Sequence, residues 1–250
     1  MDSPVDYAVA DGVARLTLNS PANRNALSSG LVAGLHAGLR AAVTDDGVRA
    51  VVVGHTGNTF CAGADLSEAA GGDPFDPAVA RAGELAALLR AIVAAPLPVI
   101  AAVDGHVRAG GMGLVGACDI AVAGAASTFA LTEARIGVAP AIISLTLLPK
   151  LSARAAARYY LTGEKFGATE AAAIGLITQA AEDVEAAVAA LLAELRRGSP
   201  QGLAASKALT TAAVLAGFDA DADRLAAESA RLFISEEAQE GMLAFLQKRP

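Results

Sequence analysis

Residues 108–119 read RAGGMGLVGACD, and within them Gly111-Met112-Gly113-Leu114-Val115-Gly116 is a formal match to G-x-G-x-x-G. Glycines in such a run can serve three kinds of chemistry or packing. They can cradle a dinucleotide pyrophosphate, leave backbone N–H groups open to a developing oxyanion, or let a helix lie close against a sheet. The dinucleotide fingerprint follows directly on a strand in an opening βαβ unit. Here residues 104–110 separate the end of the preceding apolar run, Val103, from Gly111, and the stretch lies in the middle of the chain. That disfavours a nicotinamide or flavin enzyme. The second use fits Gly110, which precedes a helix-compatible run. The first N–H groups of a helix have no internal partner, and without a Cβ at Gly110 a carbonyl oxygen can approach one of them. That would be half of an oxyanion hole, strengthened by the helix dipole. Close helix–sheet packing explains the same glycines equally well. A second small-residue turn, Thr59–Leu66 (TFCAGADL), follows the apolar strand at 49–54 and could supply another free N–H.

The elements that must position these turns are legible in part. Tyr7–Ala10 and Val13–Leu18, split by Asp11-Gly12, read as a hairpin. Ser28 can cap a helix to about Val43 with Leu31, Leu35 and Leu39 on one face. Residues 49–54, 98–103 and 119–123 read as buried strands, 55–65 as a glycine-bearing loop and 65–77 as a polar, Gly/Pro-marked mobile segment. Residues 79–94, 152–161, 168–174, 184–196, 203–215 and 222–246 read as helices. Strands dominate the first half and helices the second, which suggests an α/β fold of βαβ type with a helical tail. That tail would pack on its own sheet or reach a neighbouring subunit.

Composition narrows the function classes. The chain has 250 residues, 54 % apolar, without tryptophan and with a formal charge of −7. Scattered basic residues in an acidic chain argue against a non-specific nucleic-acid binder. No secretory leader or membrane span is recognisable, and two cysteines, Cys61 and Cys118, make no disulfide scaffold. A reduced, cytoplasmic protein is the expectation.

Six segments, in order, resemble the crotonase superfamily of enoyl-CoA hydratases and isomerases over nearly the whole length. They are Asn23–Ser28 (NRNALS), Phe60–Leu66 (FCAGADL), Asp104–Asp119, Phe129–Pro140 (FALTEARIGVAP), Leu161–Ile177 and Glu240–Arg249. Phe129–Ser144 further resembles a subgroup that includes methylglutaconyl-CoA hydratases. The resemblance implies a spiral of ββα units over residues 1–195 and a helical trimerisation region over 196–250. It implies an acyl-CoA thioester as substrate, a homotrimer or dimer of trimers, and neither nucleic acid nor membrane as partner. Coenzyme A would enter as part of the substrate, with no separate cofactor and no metal.

By position, the N–H groups of Ala64 and Gly110 would hold the thioester oxygen. Such preorganised donors are each worth about 3 kcal/mol as enolate charge develops. Backbone around Ala26, Ala62 and Leu66 would contact the adenine and pantetheine, Arg24 would face the phosphates, and Lys248 of a neighbouring subunit would reach the 3′-phosphate. Asp65 belongs to the same group, as a loop-fixing carboxylate. The family's hydratases use two glutamates. One falls on Glu133 and the other on Gly113, which cannot transfer a proton. One carboxyl with an oxyanion hole suffices for isomerase chemistry, and for hydration if another polar group orients the water. Asp104, His106, Arg108, Thr132 and Ser144 are the candidates for that group, and Arg108 or Arg135 could pair with a distal carboxylate. The expected activity is therefore an enoyl-CoA hydratase-type lyase. The alternatives are an isomerase with Glu133 as sole acid/base, or a weakly active acyl-CoA binder.

Overall fold

Asp11 and Gly12 both take positive φ, 50° and 74°, which suits the two-residue turn of a right-twisted hairpin. They join β1 (Val5–Ala10) to β2 (Val13–Leu18) as an antiparallel pair. The computed structural model describes residues 3–65, 68 and 75–247. Ser28 caps α1 (Ser29–Thr44), its side chain accepting from the Leu31 N–H, and Leu31, Leu35 and Leu39 form the buried stripe.

This strand–strand–helix round then repeats. The second comprises β3 (Ala50–His55), β4 (Thr59–Cys61) and α2 (Phe75–Ala94), and the third β5 (Val99–Val103), β6 (His106–Arg108) and α3 (Gly110–Ala117). The fourth pairs β7 (Ile120–Gly124) with β8 (Thr128–Ala130) and continues into a 3-10 turn, Glu133–Ile136, α4 (Ser144–Leu147) and α5 (Ala153–Thr162). After these come β9 (Phe166–Gly167), α6 (Ala168–Ala173), β10 (Gln179–Ala181), α7 (Val184–Leu195), α8 (Pro200–Phe233) and α9 (Glu236–Gln247).

From the second round to the fourth, each round places one strand in each of two sheets. The larger runs β1-β2-β3-β5-β7-β10 and the smaller β4-β6-β8-β9. The winding is the ββα spiral that the motifs imply. The smaller sheet lies largely in segments that sequence reading leaves as loop. Its strands have three residues or fewer, too short for an alternation to be read.

Two helical boundaries also differ from expectation. Residues 203–215 and 222–246 read as separate helices, but α8 runs unbroken from 200 to 233. A Cβ at Gly217 would meet nothing, so that glycine only weakens the helix by about 1 kcal/mol and does not end it. The break falls at Ser235, whose hydroxyl accepts from the Ala238 N–H and starts α9. The helix expected from 79 begins at Phe75, and most of the segment expected to be mobile, 66–67 and 69–74, lies outside the described residues.

The long helix α8 is fastened to the spiral by one buried cation. Lys207 Nζ donates to the carbonyls of Ile92 (2.9 Å) and Leu97 (3.0 Å) and pairs with Asp119 Oδ2 at 2.8 Å. Asp119 Oδ2 also accepts from the Val99 N–H. The end of α2, the start of β5 and the approach to β7 thus converge on a single ammonium group. Phe218 and Ala226 of α8 join the main core. Among the described residues, no helix is long and apolar enough to cross a membrane. Removing the ammonium would strand a largely buried carboxylate and two carbonyls. Lys207→Ala should therefore lower unfolding stability by about 3–5 kcal/mol in denaturant titrations.

Candidate active site

The pairing of the smaller sheet brings the two small-residue turns together. β4 and β6 are adjacent and parallel, with Thr59 opposite His106 and Cys61 opposite Val107. Both chains therefore leave the sheet at the same end. Gly63, at φ 91°, lies directly against the second turn. A Cβ there would sit 2.8 Å from Ala109 Cβ, 3.3 Å from Arg108 O and 3.5 Å from Gly110 N. The turn at 63–65 is also bridged to Leu27, whose N–H donates to Gly63 O at 2.8 Å and whose carbonyl accepts from Asp65 N at 3.4 Å. In a parallel bridge the residue between those two bonds points its own N–H away from the partner strand. Ala64 holds that place and is exposed. Gly110 is the first residue of α3, so its N–H lies beyond the helical ladder. Just before it, Ala109 is held at φ 48°, ψ −122°, with its N–H on Ala130 O at 3.1 Å. A non-glycine residue in that region stores about 1–3 kcal/mol of strain.

The glycines of the formal fingerprint are absorbed by packing. A Cβ at Gly111 would stand 2.7 Å from Cys61 Cβ, one at Gly116 3.0 Å from Leu147 Cδ2, and one at Gly113 would collide with Ile143 Cγ2. No open cradle for a pyrophosphate exists at these positions. Gly113 bears most on mechanism, because it is where the motif resemblance would put the family's first glutamate. Ile143 and Leu89 fill the volume that a side chain at 113 would occupy, so hydrocarbon stands where an acid is expected.

Glu133 begins the 3-10 turn after β8 and is only 7 % exposed. Leu131 and Val138, on either side of it in the chain, are buried in the core. Its Oε2 has no hydrogen-bond partner among the described residues. Burial pushes its carboxyl up to about 7, against a smaller opposing pull from the backbone N–H groups of Glu133 and Thr132. Ala130, bonded to Ala109, lies three residues before Glu133. That span reaches at most ~10 Å, which places the carboxyl-bearing turn in the neighbourhood of Gly110.

The other expected residues fall into two groups. Arg24, Ala26, Ala62 and Asp65 gather around the Leu27 bridge. Arg24 is exposed at φ 60° and its carbonyl accepts from Ala62 N, while Asn23 Nδ2 donates to Asp65 Oδ2 at 3.1 Å and Asn23 Oδ1 accepts from Ala26 N. Asn25, which sequence reading does not single out, is fully buried. It ties this loop to the start of β4 through Thr56 O and Thr59 O. Leu66 and Lys248 lie outside the described residues.

The candidates for holding water are mostly engaged elsewhere. Arg108 folds its guanidinium onto Val107 O, Thr128 O and Thr128 Oγ1, and His106 Nδ1 lies 3.0 Å from the same hydroxyl. Ser144 Oγ donates to Ala141 O and Arg135 Nε to Thr162 O, whereas Asp104 is held through its backbone, its N–H donating to His55 Nε2. The guanidinium groups of Arg108 and Arg135 thus clamp backbone, and pairing with a distal carboxylate would mean breaking these bonds. A cavity of about 430 Å³ between Asp104, Glu182, Asp183 and Glu185 contains none of the expected site residues except Asp104. Its acidic walls would repel an anionic ligand.

The chain is thus an α/β protein wound as a ββα spiral, with two small-residue turns and a buried carboxyl gathered at one end of its smaller sheet. The model of the family described as enoyl-CoA hydratase/isomerase matches residues 8–250, and the chain belongs to that family. A Mycobacterium avium crystal structure, an enoyl-CoA hydratase, superposes with a TM-score of 0.93 at 71 % identity, covering 100 % of this chain and 98 % of that one. The 2,3-dehydroadipyl-CoA hydratase of Escherichia coli K12 is 34 % identical over 237 residues, 94 % of this chain and 92 % of that protein. Human mitochondrial methylglutaconyl-CoA hydratase is 31 % identical over 250 residues, covering 96 % and 73 %.

Two measurements check this geometry. Gly113→Ala should cost about 1–3 kcal/mol by overpacking against Ile143, and a double-mutant cycle with Ile143→Ala should show the two changes to be coupled. The raised carboxyl has a pH signature. Below pH 4.5 Glu133 is protonated folded or unfolded and costs nothing. From there to about 7 the folded state holds a proton that the unfolded chain releases, so stability falls as pH rises and levels off above. Glu133→Gln should match the parent at pH 4.5 and exceed it by up to about 3 kcal/mol at pH 8 in denaturant melts.

Proposed function

We propose that the protein is an enoyl-CoA hydratase-type lyase, adding water across C2=C3 of a 2-enoyl-CoA thioester with Glu133 as its single carboxyl acid/base. The observation that carries this reading is the Glu133 carboxyl itself, 7 % exposed and poised near neutrality on the turn that follows Ala130. In this mechanism the thioester oxygen lies between the N–H groups of Ala64 and Gly110. Water oxygen bonds to C3, and the π pair moves through C2 onto the thioester oxygen. Glu133 then gives its proton to C2 and recovers one from the attacking water, so the carboxyl ends as it began. The loop patch at Arg24, Ala26, Ala62 and Asp65 supports the expected side for coenzyme A, since it adjoins Ala64 through the Leu27 bridge. The exposed apolar side chains of Leu148, Leu161 and Leu209, 49 %, 79 % and 82 % accessible, are consistent with the homo-oligomer implied by the motifs.

The filled site at Gly113 favours a second reading, an isomerase. Moving a proton between C2 and C4 needs one carboxyl and no held water. The two readings separate in a substrate test. The hydratase reading expects turnover of crotonyl-CoA or methylglutaconyl-CoA. It fails if both are untouched while a 3-enoyl-CoA is converted. In either reaction Glu133→Gln should lower kcat by about 10²- to 10⁴-fold. An unchanged kcat would remove Glu133 from the mechanism.

A further inference from the structure

With hydrocarbon at the first-glutamate position, hydration needs a different group to hold the attacking water. One side chain that the motifs do not mark meets the requirement. Tyr160, in α5, has its hydroxyl buried and without a hydrogen-bond partner among the described residues, as does Glu133 Oε2. The two belong to segments packed together. Gly163, the cap of α5, is lodged against residues that bracket Glu133, for a Cβ there would stand 2.9 Å from both Leu131 O and Arg135 Nε. Arg135 Nε also donates to Thr162 O at 3.0 Å. Tyr160 lies in the last turn of α5, three residues before that cap. Its neighbour Tyr159 is engaged elsewhere, its ring tilted against Phe166 at 4.1 Å between centroids and its hydroxyl donating to Glu170 Oε1. The carboxylate's charge also reaches the phenol. After burial, the Glu133 charge is what pushes the Tyr160 hydroxyl above its ordinary pKa.

We propose that the Tyr160 hydroxyl holds the water that adds to C3, so that Tyr160 and Glu133 together form the pair of polar groups that hydration requires. The proposal rests on the reading of Glu133 as the acid/base. The phenol oxygen accepts one hydrogen bond from the water and Glu133 Oε2 accepts the other, leaving a lone pair of the water oxygen toward C3. As the O–C3 bond forms, the π pair moves onto the thioester oxygen; Glu133 then gives its proton to C2, and the O–H bond of the added water that faces Glu133 breaks as its proton passes to the resulting carboxylate. Tyr160 keeps its proton throughout. A buried hydroxyl without a partner costs stability in the free protein. A group retained for function and not for folding should show that cost.

The test is Tyr160→Phe, which removes only the oxygen. Two rates are compared, hydration of crotonyl-CoA and exchange of the C2 hydrogens of butyryl-CoA with D₂O. Exchange needs the carboxyl and the enolate site but no water at C3. The proposal expects hydration to fall roughly 10²-fold, exchange to stay within about threefold of the parent, and the melting temperature to be unchanged or higher. Unchanged hydration overturns it, and so does an equal fall in both rates or a lowered melting temperature that accounts for the loss. Glu133→Gln in the same assays isolates the underlying reading. If it abolishes both rates while Tyr160→Phe spares both, only the proposal falls. If Glu133→Gln spares both, the acid/base assignment fails and the proposal falls with it.

Discussion

A carboxyl group held away from water, with no counter-charge among the described residues, is the constraint on which this site depends. Glu133 is enclosed at the start of a tight turn, and among the described residues only weak backbone dipoles offset its burial. Left in water it would be ionised and a poor acid at neutral pH; enclosed, it stands near 7 and can both give and take a proton. The turn is fixed from several sides. Ala130 is bonded to Ala109, Thr162 accepts from Arg135, and Gly137 and Gly241 allow α9 to lie directly against residues 136 and 137. The spiral fold thus stabilises elsewhere what it gives up at Glu133.

The same economy of geometry governs the backbone N–H groups. Two three-residue strands, paired in parallel, deliver Gly63-Ala64 and Ala109-Gly110 to one place. Neither turn would be there without the other. Gly63 has no side chain where Ala109 must sit, Gly111 none where Cys61 must sit, and Ala109 accepts a strained backbone at the junction. Most glycines of the mid-chain stretch are thus explained by contact. The chemistry proposed for that stretch falls on the residue just before the formal motif, Gly110.

What could be read beforehand follows the range over which each signal acts. The hairpin, the Ser28 cap and the strands at 50–55 and 99–103 are encoded by neighbours within a few residues, and the structure has them. Strands β4, β6 and β8 exist only because partners 20 to 50 residues away pair with them, so no local pattern marks them. The helical tail was legible in kind but not in its break, since Gly217 in open space does not interrupt a helix that Lys207 and Phe218 already fasten. At the site, Glu133 is visible only through its place in a motif. The departure at Gly113 is visible too, but not what fills the space, Ile143, thirty residues on and brought there by folding. Tyr160 carries no motif. Its neighbour Tyr159 is core.

Whether the two turns and the carboxyl act on one molecule is decided most directly by a crystal structure with a bound acyl-CoA. The thioester oxygen should lie about 2.7–3.1 Å from both Ala64 N and Gly110 N, with a Glu133 carboxyl oxygen in contact with C2. A thioester bound elsewhere, or bound between the two amides with Glu133 turned away from C2, would contradict the account.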